Sequence, residues 1–169
     1  MARFAAFLRA VNVGGTGKLP MAALRAMCEA EGFTAVKTYI ASGNVVFTTR
    51  QTRDQAKTRL EKRLAQHFGK PAGLFLLDED QLKAMIGNNP FPQAEANRLM
   101  IILLAADPLG RMIEEAKNQR DEEIALGNAC LYVHYPSGMG QSKLKIPSAE
   151  QGTARNMNTI RKMLEILGG

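Results

Sequence analysis

A strand, a helix and a tight hairpin follow one another in the first fifty residues, and the same order returns after residue 97. Residues 3–11 read as a strand, and a helix from about residue 20 to 31 puts Met21, Leu24, Met27 and Cys28 on one side. Pro20 suits a first helical turn and Gly32 a stop. Residues 35–40 and 45–49 make two strands around Ser42-Gly43-Asn44, where Gly and Asn tolerate the positive φ of tight hairpins. Thr52-Arg53-Asp54-Gln55 has the capping-box pattern. It opens a helix with Ala56, Leu60, Leu64 and Phe68 spaced by four, and residues 73–77 close the set with a strand.

After a short helix over residues 78–86, Gly87-Asn88-Asn89-Pro90-Phe91-Pro92 punctuates the chain. A strand over 98–105 follows, and Asp107-Pro108 supplies an N-cap and first-turn proline for a helix carrying Leu109, Met112, Ile113 and Ala116. Strands 123–126 and 130–135 flank Gly127-Asn128. A loop over 136–141 takes the fourth place, and Thr153 caps a last helix with Met157, Ile160, Leu164 and Leu167 at spacings of three and four. The expected fold class is α+β: two ferredoxin-like (β-α-β-β-α) subdomains packed together, with antiparallel or mixed sheets. Boundaries are expected at 1–78 for the first, 79–97 for the helix and linker, and 98–169 for the second. On the first strand Phe4, Ala6, Leu8 and Ala10 alternate with Arg3, Ala5, Phe7, Arg9 and Val11, and the latter set is expected on the open face of its sheet.

Hydrophobic residues at 46% and charged residues at 22% are globular proportions, and 169 residues bury a core without staples. Cys28 and Cys130 fall in apolar periodic segments rather than at ligand or disulfide spacing, which fits a reducing cytoplasm. Arg9 and Asn12 cut the N-terminal apolar run short of a signal sequence, and the run 99–106 is a strand's length, so neither export nor membrane insertion is expected.

The net charge of +6 is uneven. Residues 1–78 hold 12 Lys/Arg against 5 Asp/Glu, and residues 79–169 hold 10 against 11. Much of the excess lies around the second helix, where Arg59, Lys62, Arg63 and Gln66 form a polar face. A solvated face is the favoured reading over a nucleic-acid patch, because surface charge alone is poor evidence for a partner.

Between the first strand and the first helix runs Asn12-Val13-Gly14-Gly15-Thr16-Gly17-Lys18. A nucleoside-triphosphate loop needs G-x-x-x-x-G-K-[ST], but position 12 is Asn and position 19 is Leu. The dinucleotide pattern fails too, with Pro at position 20. What survives is an anion nest with Arg9 and Lys18 nearby, or else a plain tight turn. The third strand, Asn44-Val45-Val46-Phe47-Thr48, keeps one aromatic of the RNA-recognition signature, so Phe7 and Phe47 are expected as core between the halves.

His67 and His134 have no second ligand at metal spacing. Cys130 and His134 share a strand face but stand about 13 Å apart at ~3.3 Å per residue, too far for a dyad. Asp121-Glu122-Glu123 reads as a solvated loop. No catalytic constellation, cofactor or metal site is visible. Arg155, expected in the first turn of the last helix near its positive end, calls for a carboxylate or bound-anion partner.

Leu8-Arg9-Ala10-Val11-Asn12-Val13-Gly14-Gly15, the run from Thr38 to Phe47, Asn89-Pro90-Phe91-Pro92, Ser142-Lys143-Leu144 and Thr153-Ala154-Arg155-Asn156 together resemble the bacterial family Domain of Unknown Function 1697. The resemblance spans nearly the whole chain and implies a compact α+β protein of two related subdomains. It brings no established activity, substrate or catalytic residue. Met157 departs from it, standing where members usually have Trp, and the segment between Leu144 and Thr153 is shorter than usual.

The functional expectation is a small cytoplasmic module that binds an anionic ligand: a phosphorylated metabolite, a nucleotide or nucleic acid. Its candidate ligand residues are Arg9, Asn12, Gly14, Gly15, Lys18, Ser42, Asn44, Lys143, Thr153, Arg155 and Asn156. Any nucleic-acid binding is expected to be weak, non-specific and centred on the first half. The rival expectations are a structural or self-associating protein, in which these residues only satisfy turns and caps, and a cofactor-free enzyme. The sequence sets no oligomeric state.

Overall fold

The computed structural model describes residues 1–9, 19–40 and 43–168. The chain forms two compact units. One is Met1–Leu82 with the end of the chain from Lys162, and the other is Lys83–Arg161.

The first unit runs β1 (Ala2–Leu8), α1 (Met21–Ala30), β2 (Thr34–Tyr39), β3 (Asn44–Thr49), α2 (Arg53–Phe68) and β4 (Leu74–Leu77). Its antiparallel sheet has the order β2-β3-β1-β4, which is the ferredoxin-like arrangement. Alternation on β1 turns Phe4, Ala6 and Leu8 toward the helices, where they meet Leu24 and Cys28 of α1 and Ala56, Leu60 and Leu64 of α2. The Thr52–Gln55 capping box forms in full, and Gly69, at φ 70°, ends α2 in the left-handed conformation. In β2 the pairing slips between Thr34 and Lys37, with Ala35 at φ 50°.

On the β1 face turned away from the helices Ala5 and Phe7 are both fully buried, as apolar side chains there require. One expectation changes here. Phe47 pairs with Phe4 in register and stacks on Phe33 at 4.2 Å, within the helix-side core of the first unit. It is not core between halves.

The second unit contains the end of α3 (Glu79–Gly87), a 3-10 turn at Ala96–Arg98, β5 (Leu99–Leu103), α4 (Arg111–Glu114), β6 (Glu123–Gly127), β7 (Cys130–His134), a second 3-10 turn at Pro147–Ala149 and β8 (Thr153–Asn156). Its sheet order β6-β7-β5-β8 repeats that of the first, again wholly antiparallel. Met112, Leu131, Val133, Ile146 and Ala149 pack on one face. On the other face the Tyr132 hydroxyl donates to the Met85 carbonyl at 2.6 Å.

The helices of this unit differ from expectation. The helix expected through Ala116 is a single turn, because Lys117 leaves to form an isolated bridge with Lys145. Asp107 does not cap it. Its Oδ1 accepts the Ala129 N–H at 2.7 Å and pins the β6–β7 turn, where Ala129 holds φ 52°. Thr153 does not cap the last helix either, since it opens β8, and α5 (Met157–Gly168) takes its cap from Asn156, whose Oδ1 accepts the Thr159 N–H at 2.9 Å. Four residues of mixed polarity carry no alternation to read, but pairing with them satisfies the edge of β5. Leu164 is only half-buried, and Met163 takes its place on the inner stripe with Met157, Ile160 and Leu167.

Gly152 leads into β8 at closest approach to β5. A Cβ there would sit 2.3 Å from the Leu103 carbonyl oxygen and 3.0 Å from Ile102 Cγ2. Backbone cannot retreat without breaking the ladder, so Gly152→Ala is expected to destabilise the second unit by about 1–3 kcal/mol. A urea midpoint equal to that of the parent would show that the two strands have room to separate.

Candidate anion site

Of the eleven candidate ligand residues, Asn12, Gly14, Gly15, Lys18 and Ser42 lie outside the described residues. The other six divide between the two units.

In the first unit, Arg9 leaves the end of β1 with its N–H donating to the Gly73 carbonyl at 3.0 Å. Asn44, fully buried, opens β3 opposite Phe7, and its Nδ2 donates to the Tyr39 carbonyl at 3.0 Å. That bond closes the hairpin from inside. Gly43 sits at φ 82° in the turn, and Ile40, half exposed, holds φ 47°. A β-branched residue in the left-handed region costs on the order of 1–3 kcal/mol, a strain that the surrounding structure offsets.

In the second unit, Arg155 stands in β8 opposite Ile101, with its side chain on the same sheet face as Thr153. It is 6% exposed, and its Nη1 donates to Thr153 Oγ1 at 2.7 Å and to the Ala154 carbonyl at 3.0 Å. Burial pulls its guanidinium down to about 10. Asn156 caps α5, and Lys143 projects into solvent from the loop before Leu144. Thr153 and Arg155 are thus brought together on the sheet, whereas Asn156 serves the helix.

The basic helix α2 of the first unit is largely neutralised. Arg53 pairs with Asp78 at 2.8 Å, Lys57 with Glu61 at 3.0 Å, and Glu31 takes Arg63 at 2.5 Å and Arg59 at 3.9 Å. Glu31, 14% exposed, ties the end of α1 to α2. A cation already holding a carboxylate has less to offer a phosphate backbone.

Residues 1–132 match the family model described as "Protein of unknown function (DUF1697)". The chain belongs to the DUF1697 family. A solved structure of a conserved bacterial protein, SP0830 from Streptococcus pneumoniae, is similar to it at 26% identity and a TM-score of 0.79, over 98% of each chain. No curated protein matches it.

In this DUF1697 chain the acidic run Asp121-Glu122-Glu123 is more than a solvated loop. Glu122 is buried, and its carboxylate accepts the Ser142 hydroxyl at 2.5 Å and the Arg120 N–H at 2.6 Å. The Ser142 bond, then the backbone bonds, hold its carboxyl below the ordinary range. Asp121 accepts the Ser137 hydroxyl, so two of the three carboxylates fasten the loop after β7 to the start of β6. The signal was in the parity: Glu122, just before β6, stands two residues from Ile124, which packs on the core, and strand alternation continued back by one residue turns it the same way.

His134 pairs with Glu123 at 3.0 Å and lies beside the Phe91 ring at 5.7 Å. Burial raises the thiols of Cys28 and Cys130 to about 12 and about 11, which leaves both as protonated core side chains at neutral pH. Among the described residues no group of three His, Cys, Asp or Glu side chains is placed to hold a metal ion, and no helix is long and apolar enough to cross a membrane.

Proposed function

We propose that this DUF1697 protein is a small cytoplasmic binding module for an anionic ligand, with Arg155 as the cation that receives it and Thr153 as the group that orients it. The observation carrying this reading is the burial of the Arg155 guanidinium beside Thr153 Oγ1 on a sheet face. Burial lowers the guanidinium's pKa to about 10, and its bonds to Thr153 Oγ1 and the Ala154 carbonyl hold it in one orientation on that face. A guanidinium held in this way suits a phosphate or carboxylate group, which it binds through charge-assisted bonds. A second candidate is the hairpin with Ile40, Gly43 and Asn44, near in sequence to Arg9, Asn12, Gly14, Gly15, Lys18 and Ser42, of which only Arg9 is among the described residues. Its strained backbone supports that role.

The rival reading, a structural or self-associating protein, draws on Asn44 and Asn156, whose side chains close a hairpin and cap a helix. Thermal denaturation with inorganic phosphate, nucleotides and short oligonucleotides separates the two. At a hundredfold excess over Kd, a ligand of the native state raises the melting temperature by roughly 5 °C or more. The shift is expected with the parent protein and absent with Arg155→Met, which keeps the buried apolar stem. If no phosphate compound moves the parent, or if Arg155→Met responds equally, Arg155 does not receive the ligand.

A further inference from the structure

The second unit carries a cleft of about 300 Å³ at the end of β5, between α4 and residues 148–152. Its floor and lip are apolar, with Leu104, Met112 and the 54% exposed Leu109. Arg111 stands on the rim. Among the described residues its guanidinium has no ion pair or side-chain hydrogen bond, although Asp107 and Glu115 are close in sequence. Asp107 shares the rim but is committed through Oδ1 to the Ala129 N–H. Gln151 adds an amide to the same edge.

We propose that this cleft binds a small amphipathic carboxylate, with its acyl chain over Leu104, Leu109 and Met112 and its carboxylate on Arg111. The volume equals about ten water molecules at ~30 Å³ each, which fits a ligand of about ten non-hydrogen atoms such as an eight-carbon acid. A guanidinium matches a carboxylate through two parallel bonds. The nearby Asp107 charge disfavours a dianion such as a phosphate monoester, so this site differs in chemistry from the one at Arg155. Burying the methylene chain contributes apolar transfer energy, and the rim charge sets the orientation.

The test is a titration of the full-length, 15N-labelled protein with octanoate, followed by amide chemical shifts. Saturable shifts confined to residues 104–112 and 148–152 are expected. 1-Octanol, the neutral counterpart, is expected to bind roughly tenfold or more weakly, since a hydrogen bond to a charged group is worth about 1.5–3 kcal/mol. Arg111→Met should weaken octanoate to the level of 1-octanol while leaving 1-octanol unchanged. Leu109→Asn, at the exposed lip, should weaken both. Arg155→Met should bind octanoate as the parent does, and Arg111→Met should keep any thermal response to inorganic phosphate, so the two sites fail independently. No saturable shift, shifts elsewhere, or equal affinity of octanoate for parent and Arg111→Met would each overturn the proposal.

Discussion

Phe47→Ala is expected to lower the stability of the first unit by about 3–5 kcal/mol, the range for emptying a large aromatic site in a core that cannot fully collapse. Phe47 is 1% exposed, stacks on Phe33 with ring centroids 4.2 Å apart and lies 6.2 Å from Phe4. Three aromatic rings from β1, β3 and the entry to β2 therefore lose their common member. Because β3 lies between β2 and β1 in the sheet, the cavity opens at its centre, where relaxation is most restricted. Phe47→Leu refills part of that space and should recover more than half of the loss. Urea unfolding followed by circular dichroism measures both. A parent-like midpoint for the alanine variant would mean that the ring is dispensable to the core.

Met157→Ala should cost a comparable ~2–5 kcal/mol. Met157 is fully buried at the first position of α5, directly after the β8 edge strand, and Ile160, Met163 and Leu167 continue its stripe. Removing the side chain at the junction loosens strand and helix together. Met157→Leu, which nearly conserves volume, should cost under about 1.5 kcal/mol. Equal midpoints for the alanine and leucine variants would place the helix on its later residues alone.

Long elements with a clear period were legible in the sequence. The alternation of β1, the spacing of four on α2 and the Thr52 capping box each correspond to an element in the structure, and the strand-helix-hairpin order led to two sheets of identical strand order. Short elements were not. β8 has four residues and takes its conformation from β5, so its own sequence carried the signals of a loop and a cap. The same holds for α4, where Asp107-Pro108 has the local chemistry of a helix start but Asp107 is claimed by a turn over twenty residues away. Tertiary partners override local preference most easily where few residues express it.

The candidate site was legible by residue type more than by role. Arg155 was singled out for its sign at a helix start, yet it lies in a strand, and its burial rather than the helix dipole sets its chemistry. The basic face of α2 showed its charge in the sequence but hid its partners, because Glu31 and Asp78 lie outside the helix they neutralise. Glu122 was hidden for the opposite reason: three acids in a row suggest water, and only strand parity distinguishes the one that turns inward.

The slip in β2 bears on how the molecule behaves in a crowd. An unprotected outer strand offers its free amides and carbonyls to any passing chain, which is how edge-to-edge polymers begin. β2 is such a strand, at one end of the first sheet, but Ala35 at φ 50° breaks its line of pairing and the exposed Lys37 follows two residues later. A second copy docking there would meet a kinked ribbon and bring its own lysine against the first. The kink and the charge thus work against fibril growth from that border of the sheet.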